Sequence, residues 1–115
     1  MSAITNVKLR ISKEVTAGET DIDFYIPPAG KTVSIVKFAG DGAFSQNSVV
    51  RLTWKNNEVE ANRVHIWTIK GETKMPDQYE IPSSDTDGVR ELAVCLENGE
   101  AGALFMSGYA FLKVQ

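Results

Sequence analysis

The side chains that carry most covalent and proton-transfer chemistry are scarce in this chain, which has one histidine, His65, and one cysteine, Cys95. A Ser-His-Asp triad needs an imidazole oriented by a carboxylate and hydrogen-bonded to its nucleophile. His65 lies instead in the middle of the run RVHIWTIK, among bulky neighbours, where a structural or surface histidine is the expected role. Cys95 alternates with Val94 and Leu96, the setting of a small packing residue rather than a reactive thiolate. A lone cysteine closes no disulfide within the chain and builds no cysteine zinc site. A lone histidine cannot make a cage of two or three imidazoles. No catalytic residue, metal or cofactor is therefore expected, and the chain reads as a non-enzyme.

Carboxylates come in two close pairs. Asp21 and Asp23 alternate with Ile22 and Phe24, which reads as a solvated strand face. Asp85-Thr86-Asp87-Gly88 opens like a calcium loop, with oxygen donors two apart and then a glycine. The third donor and the distant bidentate glutamate are missing, although Glu91 is near, so a surface turn is the reading. Gly40-Asp41-Gly42 puts an acid in a glycine turn with no helix behind it, unlike a phosphate cradle. Lys8, Arg10, Lys13 and Lys31 have no aromatics interleaved with them as a stacking platform requires, so nucleic acid is not an expected partner.

Aromatic residues are the remaining lead: Trp54, Trp67, Tyr25, Tyr79, Tyr109 and Phe111. A flat ring offers large contact area at small entropic cost, to a sugar or to a protein. Trp54 is assigned to the core. Trp67 is assigned to a contact face together with His65 and Ile69, because Val64 and Ile66 already supply the other face of that strand; Tyr79 is the second contact residue.

The elements that must position these residues are strands. Val7, Leu9 and Ile11 alternate with Lys8 and Arg10 over Ile4 to Ile11, and Ile22, Phe24 and Ile26 alternate with Asp23 and Tyr25. Pro27 and Pro28 end that strand because neither can donate to a ladder; Gly30 is free to take positive φ, and Lys31 to Ala39 resumes as a strand. Further runs are Ser48 to Lys55, Arg63 to Lys70, a short one at Tyr79 to Ile81, Val89 to Glu97, and Leu104 to Val114. Gly40 to Gly42, Asn56-Asn57-Glu58, Gly71 to Gln78 around Pro76, Ser83 to Gly88 and Asn98-Gly99 punctuate them, and Gly108 is expected to be a bulge where a neighbour comes close. Seven to nine strands with no helical stripe define an all-β, antiparallel two-sheet sandwich with essentially no α-helix. A jelly roll or related Greek-key topology comes first and an immunoglobulin-like one second.

At 115 residues, 43% apolar and 23% charged, the chain is one ordinary globular domain spanning 1–115. Its net charge of −3 sets up no strong field toward nucleic acid or an anionic membrane. No apolar run approaches a membrane span, and MSAITNVKLR lacks the apolar core of a secretory signal.

The stretch ETDIDFYIPPAGKTVSI, from Glu19 to Ile35, followed by SVVRLTWK, IWTIKG and DGVRELAVCLENG, resembles the small β-sandwich accessory proteins of tailed bacteriophage virions, which decorate capsids or belong to tails and fibres. The resemblance is one of pattern, over about residues 19 to 114, and carries over no functional residue. It implies a non-enzymatic oligomer bound to a larger virion protein, trimeric at a capsid threefold, made in the bacterial host cytoplasm and located in the virion. The alternative is a carbohydrate-binding or receptor-binding module that takes a glycan on exposed aromatics and the acidic loop at Asp85 to Asp87.

Overall fold

The computed structural model describes residues 3–41, 47–55, 64–70, 73–75 and 78–115. Among them nine strands form: β1 Thr5–Val15, β2 Thr20–Tyr25, β3 Val33–Asp41, β4 Ser48–Lys55, β5 Val64–Ile69, β6 Thr73–Lys74, β7 Tyr79–Ile81, β8 Glu91–Asn98 and β9 Leu104–Val114. The described residues contain no α-helix, only one 3₁₀ turn at Ser83–Asp85. The first sheet runs β1-β9-β3, with β7 and β6 sharing the free edge of β3; the second runs β2-β8-β4-β5. Every pairing is antiparallel. Of the links between successive strands, only β4 to β5 and the short β6 to β7 step stay within one sheet; the others cross between layers. That alternation, with first and last strands side by side, is the jelly roll.

Period-two burial explains the layers. Leu9 and Val15 of β1, Val33, Ile35 and Phe38 of β3, and Met106, Ala110, Leu112 and Val114 of β9 point inward from the first sheet. They meet Val50, Leu52 and Trp54 of β4, Ile69 of β5, and Leu92, Val94 and Leu96 of β8. Trp54 thus packs in the core as its alternation suggests, with Arg90 stacked 4.7 Å from its ring. Cys95 is buried, as a packing residue should be.

Between β3 and β9 the layers close tightly. Gly40 pairs with Gly108, and a Cβ on either would press on Val50 at about van der Waals overlap, 2.9 Å for Gly40 and 3.0 Å for Gly108. Gly108 marks a close neighbour and not a bulge; the bulge in β3 falls at Val36, between Ile35 and Lys37. Gly40 and Asp41 belong to β3 rather than to a turn, while Gly42 lies outside the described residues.

The turns have specific causes. Lys31 N donates to Pro28 O across Pro28-Ala29-Gly30-Lys31, with Gly30 at φ 79°, the third position of a turn that needs positive φ. Thr86, buried, donates its hydroxyl toward Lys31 O at 2.7 Å and ties this turn to the Ser83 loop. Asn98 is not a hairpin corner, because β8 and β9 lie in different sheets. Its buried amide donates to Val15 O and Gly102 O, each at 2.9 Å, and its Oδ1 accepts from Ser48 Oγ at 3.0 Å, which joins four segments at one end of the sandwich. Gly99 stays small because a Cβ there would lie 2.3 Å from Asn47 O. Asn56 to Glu58 and Pro76 are outside the described residues.

Candidate functional site

The strand β2 departs most from its pattern. Ile22 pairs with Cys95 and Phe24 with Ala93, on the outer face of the second sheet, where they are 39% and 48% exposed. Ile26, just beyond the strand, is exposed as well. The other face of β2 turns toward the first sheet: Tyr25 packs on the core, and Asp23 accepts a hydrogen bond from Arg10 N at 3.0 Å. The expected solvated acidic face is therefore corrected: Asp23 is half-buried at the flank where the edges of β1 and β2 meet. The side chain of Asp21 is outside the described residues. Alternation says which residues share a face, and here the face with three large apolar side chains is the wet one. Asp23 in turn occupies a backbone donor on the edge of β1, one of the ways a sheet edge is kept from pairing further.

Across the sheet from this row, the outer face continues through small residues. Ala93 pairs with Thr53 and Cys95 with Arg51 of β4, and Ala93, Cys95 and Thr53 are all buried, so the row beside the projecting Ile22 and Phe24 is closed to solvent. Arg51 closes the far side: it pairs with Glu97 and reaches Thr68 Oγ1 at 3.4 Å. The result is an exposed apolar ridge on β2 and, across the sheet, a half-buried Arg51 and Glu97 pair bearing both charge signs. A large exposed side chain standing in a row with others marks an interaction surface more strongly than isolated exposure does.

The residues singled out from sequence lie elsewhere. Ile69 is fully buried opposite Val50, so it packs the core and is removed from the contact face. The reason is a bulge: Leu52 pairs with Trp67 but Thr53 with His65, so Ile66 is the extra residue and the alternation of β5 slips by one. Trp67 remains 37% exposed on this edge strand. His65 pairs through its backbone with Thr53, and its side chain is outside the described residues. Tyr79 is 45% exposed on β7, the edge of the first sheet on the same flank as β5. Trp67 and Tyr79 thus share a flank opposite the one that carries Ile22 and Phe24.

The acidic loop is occupied by its own backbone. Asp87 Oδ1 accepts from Arg90 N and Val89 N, both at 2.9 Å. These amides, that of Arg90 first, hold the Asp87 carboxyl below its ordinary pKa. No group of three His, Cys, Asp or Glu side chains converges among the described residues.

No family model matches the chain, and no curated protein matches it in sequence. Among solved structures it is similar to PliG, a periplasmic inhibitor of g-type lysozyme from Aeromonas hydrophila, with TM-score 0.49 at 12% identity over 94% of this chain and 86% of that one. It is similar to a family 16 carbohydrate-binding module, with TM-score 0.47 at 9% identity over 83% and 71%. A third is a protein of Bacillus endospore appendages, disulfide-linked pili, with TM-score 0.44 at 11% identity over 97% and 89%. No phage protein is among these three. The class that the chain's own two sheets define is an all-β sandwich.

Proposed function

We propose that this chain is a non-catalytic interaction protein that pairs with a second copy of itself through the outer face of its second sheet. The observation that carries this reading is the reversed strand β2, with Ile22, Phe24 and Ile26 outward and Asp23 and Tyr25 inward. Burying one such side chain contributes about 1.5–3 kcal/mol, so a sandwich that leaves three of them wet has stabilisation in reserve for a partner. A second copy fits this face for two reasons. The apolar ridge lies on the edge strand of its sheet, so a two-fold axis sets Ile22 and Phe24 of one copy against the same side chains of the other. The Arg51 and Glu97 pair carries both signs and does not repel itself. This arrangement favours a two-fold pair over the threefold that the phage resemblance implies. The larger setting, an accessory layer on a virion protein, rests on the pattern from Glu19 to Ile35 and its continuation alone.

Light scattering after size exclusion tests the pairing. Wild type is expected at the mass of two chains, and Phe24→Arg at the mass of one, with unchanged far-UV circular dichroism. Phe105→Arg, at an exposed position on the opposite sheet, is expected to leave the pair intact. A wild-type monomer at millimolar concentration, or a dimer indifferent to Phe24→Arg, would refute the reading.

A further inference from the structure

The outer face of the first sheet has a different chemistry, which emerges only when its strands are set in register. Lys8 of β1, Phe111 of β9 and Lys37 of β3 form one row. Arg10, Tyr109 and Ala39 form the next, then Ser12, Ser107 and Asp41, and finally Glu14 and Phe105. Bases and aromatics that look unrelated along the chain therefore alternate across it, so β9 supplies the aromatics that Lys8 and Arg10 lack along the sequence. Lys8 sits over the Phe111 ring, 6.0 Å from its centroid. Neither Arg10 nor Lys37 has a carboxylate partner to its side chain among the described residues.

Between these cations the small residues Ala39, Ser12 and Ser107 leave a depression of about 370 Å³, walled by Arg10, Lys37 and Tyr109. That is room for one or two sugar rings rather than for a large ligand. We infer that this depression binds a carboxylate-bearing pyranose, an acidic sugar unit of a polysaccharide. Each wall has a part in this. The Arg10 guanidinium offers a planar fork that fits a carboxylate, and Lys37 adds a second positive charge from the neighbouring row. Tyr109 presents a ring beside the floor, with its flat face suited to the apolar face of a pyranose. The Ser12 and Ser107 hydroxyls donate to or accept from ring hydroxyls.

A neutral sugar would leave two cations without an anion. A nucleic-acid strand fits less well, because a polyanion running along β9 would leave the bases after two rows and meet Asp41 and then Glu14, on a chain whose net charge is −3. This site is on the opposite side of the sandwich from Ile22 and Phe24, so it stands or falls independently of the pairing proposed above.

The test is NMR titration of the full chain with trigalacturonate, its methyl ester, and an eight-nucleotide thymidine strand. Trigalacturonate is expected to move the amides of Arg10, Ser12, Lys37, Ser107 and Tyr109, and to bind less tightly in high salt. Methyl esterification, which removes the charge and keeps the rings, is expected to weaken binding by about tenfold or more, as is Arg10→Gln, since a hydrogen bond to a charged group is worth that much. Arg10→Lys keeps the charge without the fork and is expected to fall between. Tyr109→Ala is expected to weaken both the acid and the ester, and Phe24→Arg to change neither. Equal binding of acid and ester, no shifts on this face, or tighter binding of the thymidine strand at the same residues would each overturn the inference.

Discussion

Gly40 and Gly108 face each other across the β3–β9 ladder, and both turn the space of their missing side chains onto Val50. The two layers meet more closely there than any Cβ allows. Gly108→Ala would set its methyl 2.5 Å from Val94 Cγ1, a contact real side chains do not make. Overpacking of this kind costs about 1–3 kcal/mol. Urea denaturation is expected to show that loss for Gly108→Ala. Val94→Ala, destabilising alone, is expected to cost less in the Gly108→Ala background, because each change relieves the other. Strictly additive losses would mean that the layers move apart freely at this point.

The Asp23 carboxylate and the Arg10 amide join the two sheets along one flank. Asp23→Ala removes the acceptor and is expected to cost about 1 kcal/mol and to speed hydrogen exchange at the Arg10 amide. With a backbone donor on β1 uncovered, the variant is also expected to aggregate sooner on warming. Asp23→Asn retains an acceptor oxygen and is expected to recover most of the loss. An Arg10 amide that exchanges at the wild-type rate in Asp23→Ala would show that this contact protects nothing.

The turn after the 3₁₀ segment is sensitive to acid. Its two amides bind the ionised form of Asp87, so the folded pKa lies below the ordinary value of 3.8. A group depressed in this way contributes stability that is fully present above the unfolded value and is lost as the pH falls through the folded one. The Val89 and Arg90 amide shifts are therefore expected to titrate with a midpoint below 3.8. A midpoint at or above 3.8 would contradict the hydrogen bonds drawn to this carboxylate.

Much of the sandwich is legible along the chain, because alternation, proline stops and glycine turns are local. The Val7, Leu9 and Ile11 set, the Gly30 turn and the buried Trp54 follow from their neighbours alone. Other features depend on what lies across the sheet. Nothing in IDFYI says that Tyr25 outranks Phe24 for the inner face, since that choice is made by the first sheet and by Arg10 N. The slip at Ile66 moves Ile69 into the core, and a bulge is invisible until its partner strand is known. Arg10, Tyr109 and Lys37 are scattered through the sequence and gather only because β9 lies between β1 and β3.

That central position of β9 also governs how the molecule comes into being. Thr5 pairs with Val114 and Val33 with the same residue, so β1 and β3 must wait for the latest of the nine strands to leave the ribosome before their shared ladder can form. Until then the nascent chain carries two unmated edges. Such distant pairings put refolding on the scale of milliseconds to seconds, not microseconds. Early release of a chain truncated before β9 would leave β1 without a neighbour in its sheet and one edge of β3 unmated, a natural substrate for chaperones.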